Sequence, residues 1–473
     1  MSEKPVIRQR LRTMILPALF TVLYVAVAFL RYRRRAVVVY DDGLFMQALD
    51  GYAHLRAPII DIREPGLNVL GEHFSPIYAL LAPVYRLWPN ALVLHLAMAL
   101  LLGLSVAVVA VSAHRHLSQW PALAVTFFYG ASFGLQGFVG VGFYEVAFAV
   151  PIIALMGLAY LDGNYRHLAF WSVLLLFVKE DLGLTVAMVG VVLVLQGQSR
   201  LGIALGILGT TWTAVVMIFV IPSFNSTGNN RFFNEVGGNG GLLETLIDGS
   251  GIKLFTLVAT FGVTGFLALR SQWCLLVLPT LVWRFTSEKE LYWTILWHYS
   301  AVLMPIVFIA MIEVLRRQPR DGQSRWAGWP ALATSGVFVV ALAGFGPLIE
   351  LAYPSSWRAD DRAATVERVL DHLDEDAVVL TDASLINRIV PNHQTFMVQT
   401  AQGTKPDVAV FDTRNYLRNG LPGAKPVGQL AEIRNPEQAK ELLTDLVGGT
   451  WVVTFDEAGF LILEPVGSTQ SPS

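Results

Sequence analysis

Apolar runs long enough to cross about 30 Å of hydrocarbon, roughly 20 helical residues each, recur along this chain until about residue 350. They are read at 14–30, 90–112, 120–138, 144–161, 166–178, 181–197, 201–221, 251–270, 272–286, 299–315 and 328–350, eleven candidate crossings. The stretch 76–88, PIYALLAPVYRLW, is apolar but broken by Pro76 and Pro83, and is read as a re-entrant or interfacial piece. Composition agrees, with 54% hydrophobic and 15% charged residues against roughly 45–50% and about 25% in soluble proteins. The formal net charge of -2 leaves no basic surplus for nucleic acid. The single cysteine, Cys274, excludes an intramolecular disulfide framework or thiol pair.

The first run, Met14 to Leu30, has Arg or Lys on both sides and no small-residue cleavage site after it, so it is read as a retained span. With a cytoplasmic N-terminus, the loops after even-numbered spans carry Arg115, Arg166, Arg200, Arg270 and the cluster Arg316, Arg317, Arg320 and Arg325. That basic bias fits the positive-inside rule, against which only RYRRR (31–35) counts. The outward loops then begin with a long first loop, 31–89.

From about residue 352 the character changes: residues 352–473 hold 17 Asp and Glu against 10 Lys and Arg, and no run of membrane-spanning length. Short strand patterns (377–382, 395–399, 407–412) and a hairpin of WVVTFD and FLILEP alternate with helical patterns at 361–373 and 435–447. The expected fold is an α-helical polytopic membrane protein of about eleven spans, residues 1–351. A small extracytoplasmic α/β domain, residues 352–473, follows it.

Ionisable groups near a bilayer are costly, on the order of 2.5–3.5 kcal/mol at its centre, so their clustering asks for a reason. On this topology the outer face collects Asp41, Asp42, Glu72, His73, Tyr144, Glu145, Lys179, Glu180, Asp181, Arg231, Arg284, Lys289 and His298. Asp42 is a natural N-cap for an amphipathic helix (Leu44, Phe45, Ala48, Leu49, Tyr52 against Gln47, Asp50, His54) suited to lie in the interface. One residue suffices to cap, which leaves Asp41 over. A carboxylate held among apolar groups gains proton affinity and becomes a better general base toward a hydroxyl. Such a base fits glycosyl transfer from a lipid-linked sugar, whose phosphate leaves without a strong acid but needs cations; Lys179, Arg231, Arg284 and Lys289 are the outward candidates.

Glu72 and His73 suit either proton transfer or metal binding, or else a structural start to the broken 76–88 segment; no metal-ligand spacing accompanies them. FVKEDLGL (177–184) is either a solvated turn or a packed ionic cluster of Lys179, Glu180 and Asp181, the latter favoured by a turn lacking Gly, Pro and Asn. The Gly- and Asn-rich 222–241 loop reads as a lid or as an ordinary flexible loop. Tyr292, Trp293, Trp297 and Tyr299 around His298 suit an interfacial belt or stacking on a sugar ring.

The blocks YDDGLFMQAL, LGEHFSPIYALLAPVY, GFYEVAFAVP, LLLFVKEDLGL, IPSFN, HYSAVLMPIVF and LTDASLINRIVPN occur in an order that resembles the bacterial and archaeal predicted membrane proteins grouped as domain of unknown function 2079, over about residues 37–412. That family in turn resembles the GT-C class of integral-membrane glycosyltransferases, which implies an outward first loop with an essential acid and a polyprenyl-phosphate sugar donor. The resemblance places Asp41 as the base, with Asp42 where family members more often carry an apolar residue. Glu72 replaces an aspartate, Gly142 and Tyr144 replace an acid and a histidine, and Lys179, Glu180 and Asp181 match fully.

The expected function is therefore transfer of a sugar from a polyprenyl phosphate to an extracytoplasmic glycan or lipid acceptor at the cell membrane. Asp41, Asp42, Glu72 and His73 would serve catalysis; Lys179, Glu180, Asp181, Arg231, Arg284, Lys289, His298 and Tyr299 would bind substrate. No cofactor or metal ligand set is assigned, although the acids leave room for a divalent metal. The alternative is a membrane transporter, or a lipid-binding or assembly scaffold; a transporter predicts polar residues at mid-bilayer depth on interrupted helices.

Overall fold

The computed structural model describes residues 4–34, 40–225, 228, 241–317, 328–358, 361–414 and 433–467. Four helices in it are long and apolar enough to cross a membrane: Thr13–Arg33, Ala91–His116, Gln119–Val141 and Ser199–Ser223. A fifth crossing results if Glu290–Ser300 and Leu303–Arg316, bent by 66° at their junction, are taken together. The runs expected at 144–161, 181–197, 251–270 and 328–350 form the shorter apolar helices Glu145–Leu161, Leu182–Leu195, Ser250–Gly262 and Trp329–Ala343. Those at 166–178 and 272–286 yield Tyr165–Leu175, and a 3-10 turn Gln272–Val277 followed by Leu278–Thr286. Hydropathy thus located the apolar segments, while the backbone cut several of them short. At 251–270 the cause is visible: Gly265 and Phe266 turn to φ 56° and 60°, the left-handed region, and the helix stops at Gly262.

The chain divides into two compact units. The first comprises Met1–Ala28, Glu72–Tyr78 and Leu96–Tyr353. It is helical, and Leu182–Leu195 packs backbone to backbone on Ser199–Val215, where glycines meet glycines. A Cβ on Gly190 would fall 2.4 Å from the carbonyl oxygen of Gly202, and one on Gly209 would fall 2.2 Å from that of Gly183. Only hydrogen at these positions lets two backbones approach so closely, the small-residue solution to packing helices where lipid supplies no hydrophobic drive. Towards the C-terminal end of Leu303–Arg316 the buried Glu313 is fully engaged, accepting from Tyr160 (2.8 Å), Arg317 (2.7 Å) and Ser271.

The second unit comprises Phe29–Gly71, Ala79–His95 and Pro354–Ser473. Its centre is a five-stranded sheet in the order β2-β1-β3-β5-β4, formed by β1 (Val379–Thr381), β2 (Thr395–Met397), β3 (Val408–Asp412), β4 (Trp451–Glu457) and β5 (Phe460–Pro465). β2, β1 and β3 run parallel; β5 and β4 are antiparallel. The strand period of two sorts the core. Val408, Val410, Phe460 and Ile462 pack with Val366 and Val369 of the helix Ala363–Asp371. Ala409, Phe411, Leu461 and Leu463 pack with Ala439 and Leu443 of the helix Pro436–Val447. β3 is therefore buried at every position. The β4–β5 hairpin turns on Ala458 and Gly459, both at positive φ (51° and 89°), as a two-residue hairpin of primed type requires.

The first-loop helix, Tyr40–Ala53, belongs to this same unit and packs against Ile386–Ile389 and Ala82–Leu87. Of the polar side that its pattern suggested, Asp50 and His54 are half-exposed and Gln47 is turned to the domain. Gln47, on the expected polar side, donates to the Thr395 carbonyl at the start of edge strand β2 (2.8 Å) and accepts from the Ile62 amide (3.0 Å). The β2 edge is thereby closed by a side chain of the loop.

One carboxyl of this sheet should be readable by titration. Burial raises Asp382 to about 6, against the hydrogen bonds it accepts from Ser384 and the Asp412 amide. The folded protein keeps this proton where the unfolded chain, at about 4, has lost it. The associated stability is present below about pH 4 and disappears as pH climbs through about 6. Over that window the wild type is expected to lose on the order of 2–3 kcal/mol relative to Asp382→Asn. Amide exchange of β1 and β3, corrected for intrinsic rates, measures it; a pH-independent difference between the two proteins contradicts the assignment.

Candidate functional site

The helix Tyr165–Leu175 ends in a series of tight turns, with the amides of Leu176, Phe177 and Val178 bonded three residues back, and helix resumes at Leu182. No glycine is needed, because the neighbouring Ser199–Val215 helix satisfies the exposed carbonyls. Trp212 Nε1 donates to Leu176 (3.0 Å) and Thr213 Oγ1 to Glu180 (3.0 Å). Lys179, Glu180 and Asp181 sit on this turn, so the reading as a packed ionic cluster describes the geometry and the solvated turn does not.

Each charge faces a different partner. Lys179 Nζ meets Glu145 Oε1 at 2.5 Å, with the carboxylate side chain only 3% exposed. Glu180 takes His73 Nδ1 at 2.8 Å on one oxygen and the Phe74 amide at 3.1 Å on the other. The Ile77 amide also bonds the Phe177 carbonyl (3.1 Å), which pins the 72–78 segment to the turn. Asp181 Oδ1 is buried with no hydrogen-bond partner among the described residues.

Burial opposes every one of these charges, and the neighbours decide the balance. For Lys179 burial is outweighed by Glu145, then Glu180 and Asp181, so its pKa rises and the ammonium persists. For Glu180 burial is outweighed by His73 and Lys179, and the carboxylate lies far below its ordinary range. His73 is pulled down by burial and Lys179, but the charge and hydrogen bond of Glu180 leave it raised overall. Two ion pairs, Lys179 with Glu145 and His73 with Glu180, make up the cluster, with Asp181 beside them.

Next to Glu145 in sequence, Tyr144 stacks on His298 with ring centroids 3.6 Å apart. Gly142 at φ 99° makes the turn that presents both residues. His298 lies in the 3-10 turn His298–Ser300, just before the bend in the helix pair, and touches Tyr299 (4.1 Å) and Phe138 (5.7 Å). Its Nδ1 is buried without a hydrogen-bond partner among the described residues. Arg284, fully buried, holds this segment in place. Its Nε donates to Tyr292 O (2.7 Å), Nη2 to Thr294 O (2.8 Å) and Nη1 to Ser300 Oγ (3.3 Å). Lys289 lies over the Tyr292 ring at 5.3 Å.

Of the residues singled out from sequence, the helical unit thus contains Glu72, His73, Lys179, Glu180, Asp181, Arg284, Lys289, His298 and Tyr299, and brings His73, Lys179, Glu180 and Asp181 into one cluster. Glu72 is half-buried beside His73. Arg231, with most of the 222–241 loop, lies outside the described residues. Asp41 and Asp42 belong to the second unit. Asp41 is half-buried in the first turn of Tyr40–Ala53.

Asp42 is not the N-cap that sequence suggested. The helix already includes Tyr40 and Asp41, and the Asp42 carboxylate is wholly buried, accepting from His95 Nε2 (2.8 Å) and Asn387 Nδ2 (3.0 Å). Neither partner had been singled out. His95 could have been, as a lone polar residue in the apolar ALVLHLAMALLL; Asn387 lies within the block LTDASLINRIVPN, where nothing sets it apart from its neighbours. Among the described residues no three His, Cys, Asp or Glu side chains converge as a metal-ligand set.

A family model described as a predicted membrane protein, domain of unknown function 2079, matches residues 37–412. None of the curated proteins matches the chain.

Proposed function

The chain belongs to the predicted membrane proteins of domain of unknown function 2079, and from that premise we propose that it is a GT-C-like glycosyltransferase moving a sugar from a polyprenyl phosphate to a glycan or lipid acceptor outside the cytoplasm. The observation that carries this reading is the adjacency of Tyr144 and Glu145. One stacks in the aromatic group of His298, Tyr299 and Phe138, the other anchors the ionic cluster of Lys179, Glu180, Asp181 and His73. Sugar recognition uses this pairing, with ring C–H faces on aromatics and hydroxyls on charged acceptors and donors. Charged groups maintained at this cost in a membrane protein are functional by default.

In this reading Asp41 is the general base for the acceptor hydroxyl. Arg284 acts indirectly, because its donors are turned to main-chain carbonyls and shape the 292–300 segment. The wider topology goes with it: eleven crossings, a cytoplasmic N-terminus, a membrane part at 1–351 and an extracytoplasmic domain at 352–473.

The test is transfer of radiolabelled sugar from a panel of polyprenyl phosphates by purified protein in nanodiscs. Asp41→Asn is expected to lower kcat at least about a hundredfold, the lower end for a lost general base. Undiminished turnover in that variant removes Asp41 from the chemistry.

The 66° bend between Glu290–Ser300 and Leu303–Arg316, with His298 beside it, favours a second reading as a transporter built on a broken helix. Protein-dependent uptake of a labelled solute into proteoliposomes, with no transfer to any acceptor, would select that reading.

A further inference from the structure

We propose that Asp42, His95 and Asn387 are positioning residues that aim Asp41, so that the α/β domain is a working part of the catalytic apparatus. This inference rests on the reading of Asp41 as the base.

Three side chains from distant parts of the chain meet on one oxygen. Asp42 Oδ2 accepts from His95, 53 residues on, and from Asn387, 345 residues on. Asp42 and His95 are 0% and 1% exposed. Asn387 comes from the short helix Ile386–Ile389 that follows β1, so the sheet itself sets where its amide lies. The other oxygen, Asp42 Oδ1, is buried with no hydrogen-bond partner among the described residues.

For packing alone this is an unfavourable choice, since an apolar residue of the same shape avoids both the buried charge and the orphaned oxygen. What the carboxylate supplies, and a methyl group cannot, is direction. Two hydrogen bonds on one oxygen fix the rotation of the helix about its axis. Successive helical residues are turned by about 100°, so fixing Asp42 also fixes the direction in which Asp41 points. The contacts on either side reinforce the same orientation. A Cβ on Gly43 would fall 2.7 Å from Ile386 Cγ2 and 2.8 Å from Ile62 Cδ1, so the helix backbone lies directly on the domain there. One turn later Gln47 bridges the Thr395 carbonyl and the Ile62 amide.

The experiment uses the full chain in nanodiscs, with Asn387→Ala and His95→Leu as disrupting variants. His95→Gln is the conservative one, its amide nitrogen replacing Nε2 as donor. Hydrogen exchange over 40–53 is expected to quicken at least about tenfold in the disrupting variants, while β3 and β5 keep wild-type protection. In sugar transfer, kcat is expected to fall about a hundredfold, the scale of a misaimed reacting group, with the KM for the lipid-linked donor unchanged. His95→Gln is expected to recover most of both.

Unchanged exchange in both disrupting variants overturns the proposal, and so does loosened exchange with an unchanged kcat. A wild type that transfers no sugar while the variants still loosen the helix removes the reading of Asp41 as base and reduces the contact to a structural latch.

Discussion

Replacing Lys179 by methionine is expected to destabilise the helical unit by about 3–5 kcal/mol, the scale for breaking a buried ion pair. Methionine keeps most of the volume, so little of the loss comes from a cavity. The loss comes from Glu145, whose side chain is 3% exposed and would be left buried without its counter-ion. Glu180 and Asp181 also lose the nearby positive charge that offsets their burial. The double variant Lys179→Met with Glu145→Gln should regain a large part of the loss, because a neutral amide needs no counter-ion. Thermal unfolding in detergent micelles, followed in the wild type, both single variants and the double variant, gives the coupling between the sites. Additive single effects would mean that the 2.5 Å contact carries no coupling energy.

Arg362→Met should have a comparable effect in the α/β domain, again about 3–5 kcal/mol. Arg362 grips Asp412 with two parallel bonds, Nη1 to Oδ1 at 2.8 Å and Nη2 to Oδ2 at 2.7 Å, and its guanidinium lies 4.3 Å above the Phe460 ring. Nη1 also bonds the Ala458 carbonyl at the β4–β5 turn (3.2 Å), so one side chain ties the end of β3 to the hairpin. Against a stability of about 5–15 kcal/mol for a typical domain, that loss is a large fraction. Arg362→Lys should rescue little, because an ammonium cannot supply two parallel donors and does not stack as a guanidinium does. Exchange rates at β3 and β5 amides in the two variants decide the matter. Wild-type protection in Arg362→Lys would show that charge alone suffices.

Local chemistry explains which elements were legible beforehand. The β4–β5 hairpin follows from two short apolar runs, WVVTFD and FLILEP, joined through Glu457-Ala458-Gly459. The helix Pro436–Val447 starts where Asn435 can cap it, accepting from the Gln438 amide, with proline at the first helical position. Helix ends inside apolar segments were not legible, because hydropathy is blind to where the backbone turns. The run expected at 251–270 loses its last turns to the left-handed pair Gly265 and Phe266. The amphipathic pattern of Tyr40–Ala53 was visible too, but an apolar face suits a lipid surface and a protein surface alike. Only the domain lying against Gly43 and Gln47 distinguishes them.

The candidate site divides along the same line. That Lys179, Glu180 and Asp181 are adjacent and set between apolar segments is determined by sequence alone, and so is the demand of such charges for partners. Which partners they take was decided by tertiary structure: Glu145 for the lysine, His73 for the glutamate, and, among the described residues, no hydrogen bond for one oxygen of Asp181. Asp41 and Asp42 are neighbours in the chain, yet one is half-buried while the other is locked by His95 and Asn387. A helical turn of about 100° per residue sends adjacent side chains to different surroundings. Those surroundings were built here from segments up to 345 residues away.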